Sequence, residues 1–204
     1  MSTDTSTVFI IDDEPAIRDS LTLMIRQEGI TVKTYDSGKA FLAAHHEGSL
    51  GCAIVDVKMP DMDGLQLQEY LARKNIQLPI IFLTGHGDIP MSVRAIKAGA
   101  VDFLTKPVTR EKLLTAIHSA LNEAKRILSE NANHQHAETL LAGLTERERD
   151  VMLLAIQGHH NKEIARLLEI SHRTVEIHKS KIMHKTGAMN LLDLARLAHD
   201  GGVS

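Results

Sequence analysis

Five times within the first 120 residues, a short apolar run gives way to a segment with helical spacing. The runs are Val8–Ile11, Thr31–Tyr35, Ala53–Val57, Ile80–Leu83 and Val101–Leu104. After the first run, Ile17, Leu21, Met24 and Ile25 fall at i, i+4, i+7 and i+8, one face of a helix. Pro15 sits near its start and Gly29 just past its end, the usual asymmetry of helix termini. Ser37 is positioned to cap a second helix, Gly64 precedes a third that Asn75 follows, and Pro90 opens a fourth that Gly99 closes. Parallel strands need a long crossover, and crossover helices cover both faces of the sheet they connect. The alternation therefore predicts an α/β unit, a five-stranded doubly wound parallel sheet whose ligands bind outside the carboxyl ends of its strands.

The pattern changes afterwards. A fifth helix begins near Thr109, and residues 129–138 turn polar without Pro or Gly, so this stretch reads as a linker in helical form. From Leu144 onward every signal is helical. Thr145 with Glu148 forms a capping box, Gly158 ends that helix, Asn161 is the cap candidate for the next, Ser171 for a third, and a fourth runs from about Asn190 to His199. A length of 204 residues suits two domains of ordinary size. We place them at 5–122 (α/β) and 140–204 (all-α), with 123–139 between. The single cysteine, Cys52, excludes an intrachain disulfide and reads as a small buried hydrophobe. Met1–Thr7 carries no charged segment followed by an apolar stretch, and no run of about 18 apolar residues occurs. The expected location is cytoplasmic, with no membrane partner.

Polar residues cluster where the predicted strands end. Asp12 and Asp13 follow the first, Asp56 interrupts the third, Thr84 ends the fourth and Lys106 follows the fifth. A parallel sheet brings all five to one edge. Helix capping would explain Asp12-Asp13 alone, but a carboxylate inside Ile54-Val55-Asp56-Val57 has few inexpensive explanations. Three carboxylates together call for a cation, and oxygen-rich surroundings suit Mg²⁺. The set fits phosphoryl transfer: Asp56 as nucleophile, Lys106 pairing with one phosphoryl oxygen and Thr84 hydrogen-bonding another.

Charge divides the chain further. Residues 1–139 hold 14 Lys+Arg against 18 Asp+Glu, whereas 140–204 hold 9 against 8. Segments 161–168 and 171–185 read as a helix-turn-helix. On the second helix Val175, His178 and Ile182 share one face, and Arg173, Glu176, Ile177 and Ser180 share the opposite one. With Val175 and Ile182 in the core, Ile177 faces outward, where it could touch a thymine methyl while Glu176 accepts from cytosine N4. Arg173, Thr174, Lys179, Lys181 and Lys185 would serve phosphates.

Taken together, Ile10-Ile11-Asp12-Asp13-Glu14, Val55-Asp56-Val57-Lys58-Met59-Pro60-Asp61-Met62-Asp63-Gly64, Leu83-Thr84-Gly85-His86-Gly87 and Lys106-Pro107 resemble the receiver domain of two-component systems, which is flavodoxin-like in fold. Leu144-Thr145-Glu146-Arg147-Glu148, Asn161-Lys162-Glu163-Ile164-Ala165 and Ser171–His178 resemble the LuxR-type four-helix DNA-binding domain. In this order the chain is similar to FixJ/NarL-type response regulators, nearer the FixJ branch through Gly85-His86-Gly87-Asp88-Ile89-Pro90-Met91. The resemblance implies that Asp56 accepts a phosphoryl group from a phosphohistidine on a sensor histidine kinase. It also implies Mg²⁺ held by Asp13, Asp56 and the Lys58 backbone carbonyl, with Asp12 acting through water. It implies a cis Lys106-Pro107 bond, and a switch made of Thr84 and Phe103 (core packing being the other role for this ring). Lys58 and His86 would influence the phosphate's lifetime. The implied output is a homodimer on double-stranded promoter DNA, formed through a receiver face containing Met91, Ala95 and Val101, with RNA polymerase as a further partner. The only chemistry would be the receiver's own phosphoryl transfer and dephosphorylation, so the chain would not be an enzyme in the ordinary sense.

Two other classes share part of this pattern. An aspartyl-phosphate phosphatase of the dehalogenase type needs an Asp-x-Asp after its first strand, where this chain has Asp12-Asp13. A regulator whose receiver serves only for dimerisation would have no use for the intact pocket.

Overall fold

The computed structural model describes residues 6–44, 50–85 and 89–203. The chain divides into two compact units, Met1–Leu128 and Ser129–Ser204. In the first, β1 (Thr7–Ile11), α1 (Pro15–Arg26), β2 (Thr31–Tyr35), α2 (Gly38–Ala44), β3 (Gly51–Asp56), α3 (Gly64–Arg73), β4 (Ile80–Thr84), α4 (Ile89–Lys97) and β5 (Asp102–Thr105) alternate, and α5 (Arg110–Ala142) follows. The strands are parallel in the order β2-β1-β3-β4-β5. The order reverses between β1 and β3, which opens a crevice at their carboxyl ends.

The period of two along each strand sorts side chains into two cores. Val8, Ile10, Cys52, Ile54, Ile81 and Leu83 pack against Leu21 and Ile25 of α1 and Leu113 and Ile117 of α5. Phe9, Ile11, Ala53, Val55 and Phe82 pack against Phe41 of α2, Leu67 and Leu71 of α3 and Ala95 of α4. Each Val, Leu, Ile or Phe among them stabilises the fold by roughly 1.5–3 kcal/mol relative to exposure. Burial pushes the Cys52 thiol up to about 12, so it stays protonated and inert.

The structure differs from the sequence pattern in its edges. The third strand ends at Asp56 rather than Val57, and the fifth runs Asp102–Thr105 rather than from Val101. An apolar run marks burial, whereas the limit of a strand is set by pairing: Asp56 is the last β3 residue opposite β4, aligned with Leu83. The edge strands β2 and β5 are partly exposed, unlike the three inner ones, because neighbours flank them on one side only.

In the second unit, α6 (Glu146–Ile156), α7 (Asn161–Leu167), α8 (His172–Thr186) and α9 (Leu191–Asp200) enclose Val151, Met152, Ala155, Ile164, Val175, Ile182, Leu194 and Ala198. Leu141, near the end of α5, joins the same core. Segment 123–139 is helical throughout, within α5. Thr145 and Glu148 form their capping box, and the Ser171 hydroxyl accepts from the Thr174 N–H at 3.1 Å. Asn161 is the first residue of α7 and not its cap. His160 occupies that position, with its N–H donating to the Glu163 carboxylate, and the Asn161 side chain instead accepts from Lys179 at 2.7 Å. Glu169 adopts a left-handed φ of 54° to turn the chain from α7 into α8.

Candidate functional site

At the carboxyl edge of the sheet, β1 delivers Asp12, β3 ends in Asp56, β4 ends in Thr84 and β5 leads into Lys106. The Lys106 ammonium bridges Asp12 Oδ2 at 2.7 Å and Asp56 Oδ1 at 3.0 Å, with Glu14 Oε1 further off at 3.7 Å. Asp12 and Asp56 are buried, as is Thr84, whose carbonyl accepts the Lys106 N–H at 2.7 Å. The second Asp56 oxygen accepts the Lys58 backbone N–H at 2.9 Å. Lys106-Pro107 is cis. Residues 94 apart in sequence thus meet in one ion cluster.

Burial pushes the Asp56 carboxyl above its ordinary value, and Lys106 only partly offsets this. Burial alone would lower Lys106, but hydrogen bonds to Asp12 and Asp56 outweigh it and hold the ammonium firmly charged. Two neighbours fix the frame. Arg18 of α1 donates to the Asp12 carbonyl at 2.6 Å. Gly64 opens α3 so close to β3 that a Cβ there would lie 2.5 Å from the Asp56 carbonyl oxygen. No sequence pattern singles out Arg18, a charged residue beside an apolar helical stripe; its partner is a backbone atom that only folding brings near.

The resemblance implies Asp13 as a third carboxylate beside Asp12 and Asp56 for a cation. Asp13 is exposed, and among the described residues no three His, Cys, Asp or Glu side chains form a metal-holding group. Lys106 meets the charge of the other two acids. The donors at this edge still fit Mg²⁺, which binds through one or two carboxylates and keeps waters for the remainder. Phe103 is half-buried on β5, its ring 6.2 Å from that of Phe82. His86 lies outside the described residues.

The receiver face also departs from expectation. Ala95 is fully buried and cannot touch a partner, while Met91 and Val101 are half-buried against the cores. The large apolar residues α4 exposes are Ile89 (79%), Val93 (45%) and Ile96 (47%), an i, i+4, i+7 stripe. The helix turns Ala95 inward because one small residue lets it approach the sheet.

In the second unit, Val175 and Ile182 are buried, and Ile177 is exposed on the other side of α8. Arg173, Glu176, Ser180 and Lys181 are exposed and Thr174 is half-buried. Glu176 lies 3.5 Å from His172. Two lysines expected at phosphates are engaged internally. Lys179 donates to Asn161 on α7, and Lys185 to the Glu148 carboxylate at 2.6 Å and the Gly143 carbonyl at 3.2 Å. Sequence periodicity places both on a basic helix but says nothing about the acceptors across the fold. Glu148 had been legible only as a cap; Lys185, with the Thr145 N–H, holds its carboxyl down at about 2.

A doubly wound sheet with an acid–lysine pocket at its carboxyl edge, carried on the same chain as a helix-turn-helix, defines a signal-receiving, DNA-reading class of protein. Comparison with known proteins agrees. Residues 8–118 match the response regulator receiver domain, and 142–198 match the bacterial regulatory proteins of the luxR family. The chain is 41% identical to the response regulator protein TodT of Pseudomonas putida over 197 residues, 97% of this chain and 87% of that one. It is 40% identical to the transcriptional regulatory protein FixJ of Bradyrhizobium diazoefficiens over 96% of each. Among solved structures, response regulator StyR matches with a TM-score of 0.82 at 39% identity over 96% of this chain and 98% of that one. This chain belongs to the FixJ/NarL-type response regulators, receiver domain followed by LuxR-type helix-turn-helix, and acts in phosphorelay-driven transcriptional regulation.

Proposed function

We propose that Asp56 is the phosphoacceptor and that its phosphorylation controls binding of promoter DNA by α8. The observation that carries this reading is Lys106 spanning Asp12 and Asp56 at 2.7 and 3.0 Å. A buried ammonium placed there is ready to pair with an oxygen of an arriving phosphoryl group. The Asp56 oxygen attacks phosphorus, the bond from phosphorus to the kinase imidazole nitrogen breaks, and that nitrogen keeps the electron pair. Buried Asp56 has little water to displace before reaction, and the Thr84 hydroxyl sits at the adjacent strand end to receive a phosphoryl oxygen. Mg²⁺, held by Asp13, Asp56 and the Lys58 carbonyl with Asp12 behind, would supply charge screening between two anions.

Thr84 and Phe103 then act as the switch, and two copies pair through the α4 stripe Ile89, Val93 and Ile96, with Met91 and Val101 at its margin. Pairing presents two α8 helices to half-sites about one helical turn apart. Arg173, Thr174 and Lys181 meet phosphates, and Glu176, Ile177 and Ser180 face base edges. The partners are a sensor histidine kinase, a second copy, promoter DNA and RNA polymerase, in the cytoplasm. No helix among the described residues is long and apolar enough to cross a membrane.

Footprinting on a duplex enriched from a random pool tests pocket, coupling and DNA contact together. Protection should strengthen when beryllofluoride and Mg²⁺ are added, and the gain should vanish in Asp56→Asn. Equal protection with and without the mimic would sink the reading in favour of a receiver used only for dimerisation.

A further inference from the structure

Four polar side chains are buried in the described part of the first unit: Asp12, Asp56, Thr84 and Gln68. The first three make the pocket. Gln68 lies on α3, 5% exposed, and the phosphoryl chemistry gives it no task. A buried amide is tolerated only when hydrogen-bonded, and its partners lie on another helix: Nε2 donates to the carbonyls of Ala95 at 3.2 Å and Ala98 at 3.1 Å. Both carbonyls lie at the carboxyl end of α4, where the last carbonyls of a helix lack partners within it, and that of Ala95 also accepts the Ala100 N–H at 3.1 Å. Beside them Arg94 pairs with Glu69 of α3 at 2.9 Å.

The rest of α4 is held lightly. Ala95 is its one buried residue, and Ile89, Val93 and Ile96 are exposed. α3, by contrast, is fixed at the pocket. Gly64 donates to the Val57 carbonyl at 3.0 Å, and its Cα abuts the Asp56 carbonyl. Gly64 and Gln68 are four residues apart, so they share a face of α3. One helix therefore touches the backbone of Asp56 with its first turn and the end of α4 with its second.

We propose that Gln68 is a positioning residue of the phosphorylation switch: it pins the carboxyl end of α4 to α3, so that α4 keeps its resting placement until Asp56 is modified. This rests on the phosphoryl reading above and adds to it a route through α3, separate from Thr84 and Phe103. A coupling between two sites is a difference in affinity that a residue between them can shift.

The test uses the full chain with Gln68→Leu, of similar size but unable to donate, and Gln68→Glu, which accepts but does not donate when ionised. Affinity for the enriched duplex is measured with and without beryllofluoride and Mg²⁺, and backbone amide exchange is followed in α4 without them. In both variants the gain on adding the mimic should shrink by about fivefold or more, the low end of ordinary coupling. α4 amides should exchange faster at rest while β1 and β3 amides do not. Loss of melting temperature alone, with the gain within twofold of the unsubstituted chain and α4 exchange unchanged, would reduce Gln68 to a packing residue and overturn the proposal. If the unsubstituted chain itself shows no gain, the phosphoryl switch fails and this inference fails with it. If either variant does not fold, the other carries the measurement. Should both fail to fold, Gln68 is structural and the proposal is overturned.

Discussion

Lys106 and Lys185 each hold a buried carboxylate, one in each unit, and the carboxylates respond in opposite directions. Asp56 sits above its ordinary value despite Lys106 at 3.0 Å, whereas Glu148 falls to about 2 with Lys185 at 2.6 Å. The difference lies first in burial, which dominates at Asp56 and raises it, whereas at Glu148 the hydrogen bonds from Lys185 and Thr145 outweigh it. Glu148 has a lysine and also accepts the Thr145 N–H at 2.9 Å. Asp56 shares its lysine with Asp12, which raises its value further, and beyond this has the Lys58 N–H. One acid is held as a well-paired anion that ties α6 to α8; the other keeps a charge that burial disfavours and its partners only partly offset, the condition of a group poised to react.

The sharpest way to break this contrast is to remove the two acids or their partners. Asp56→Asn should abolish labelling by acetyl phosphate in Mg²⁺ while raising the melting temperature of the first unit at pH 7, since an ionised buried group is replaced by a neutral one. A melting temperature that falls instead would mean that Asp56 is as satisfied as Glu148. Lys185→Met should act oppositely, lowering the second unit's melting transition because Glu148 loses its counter-charge. It should leave the salt dependence of DNA binding by the folded fraction unchanged, whereas Lys181→Met should flatten the slope of log affinity against log salt by about 0.9.

Acid sharpens the comparison without mutation. Glu148 has a folded value of about 2 against an ordinary 4.5, so its contribution to stability is complete above 4.5 and is lost as pH falls towards 2. Asp56 has the reverse sign: with its folded value raised above 3.8, the first unit gains as pH falls through the raised value, and the gain levels off below 3.8. Amide exchange or circular dichroism resolved by unit should show the second loosening over a range in which these two groups spare the first. The smallest effect belongs to Ile177→Ala. At an exposed position it should change stability by no more than about 0.5 kcal/mol, yet it should weaken binding to the enriched duplex more than to a random one.

Much of this was legible beforehand because it is periodic or local. The five Val- and Ile-rich runs, the Thr145–Glu148 box and the Ser171 cap follow from spacing. Convergence of Asp12, Asp56, Thr84 and Lys106 follows from the topology that the alternation imposes. What the sequence does not show involves distant partners: α4 turns Ala95 inward, Lys185 pairs with Glu148 37 residues away, and Gln68 carries no signal at all.

By itself, then, the amino-acid order determined the class of sheet, the order of the two units and the edge at which the acids meet, since hydrophobic period and chain direction are properties of neighbouring residues. Only the tertiary structure decided which lysines are spent internally, which α4 residues face outward and which amide ties α3 to α4. Those outcomes depend on desolvation and hydrogen-bond distances between segments far apart along the chain, which no local pattern encodes.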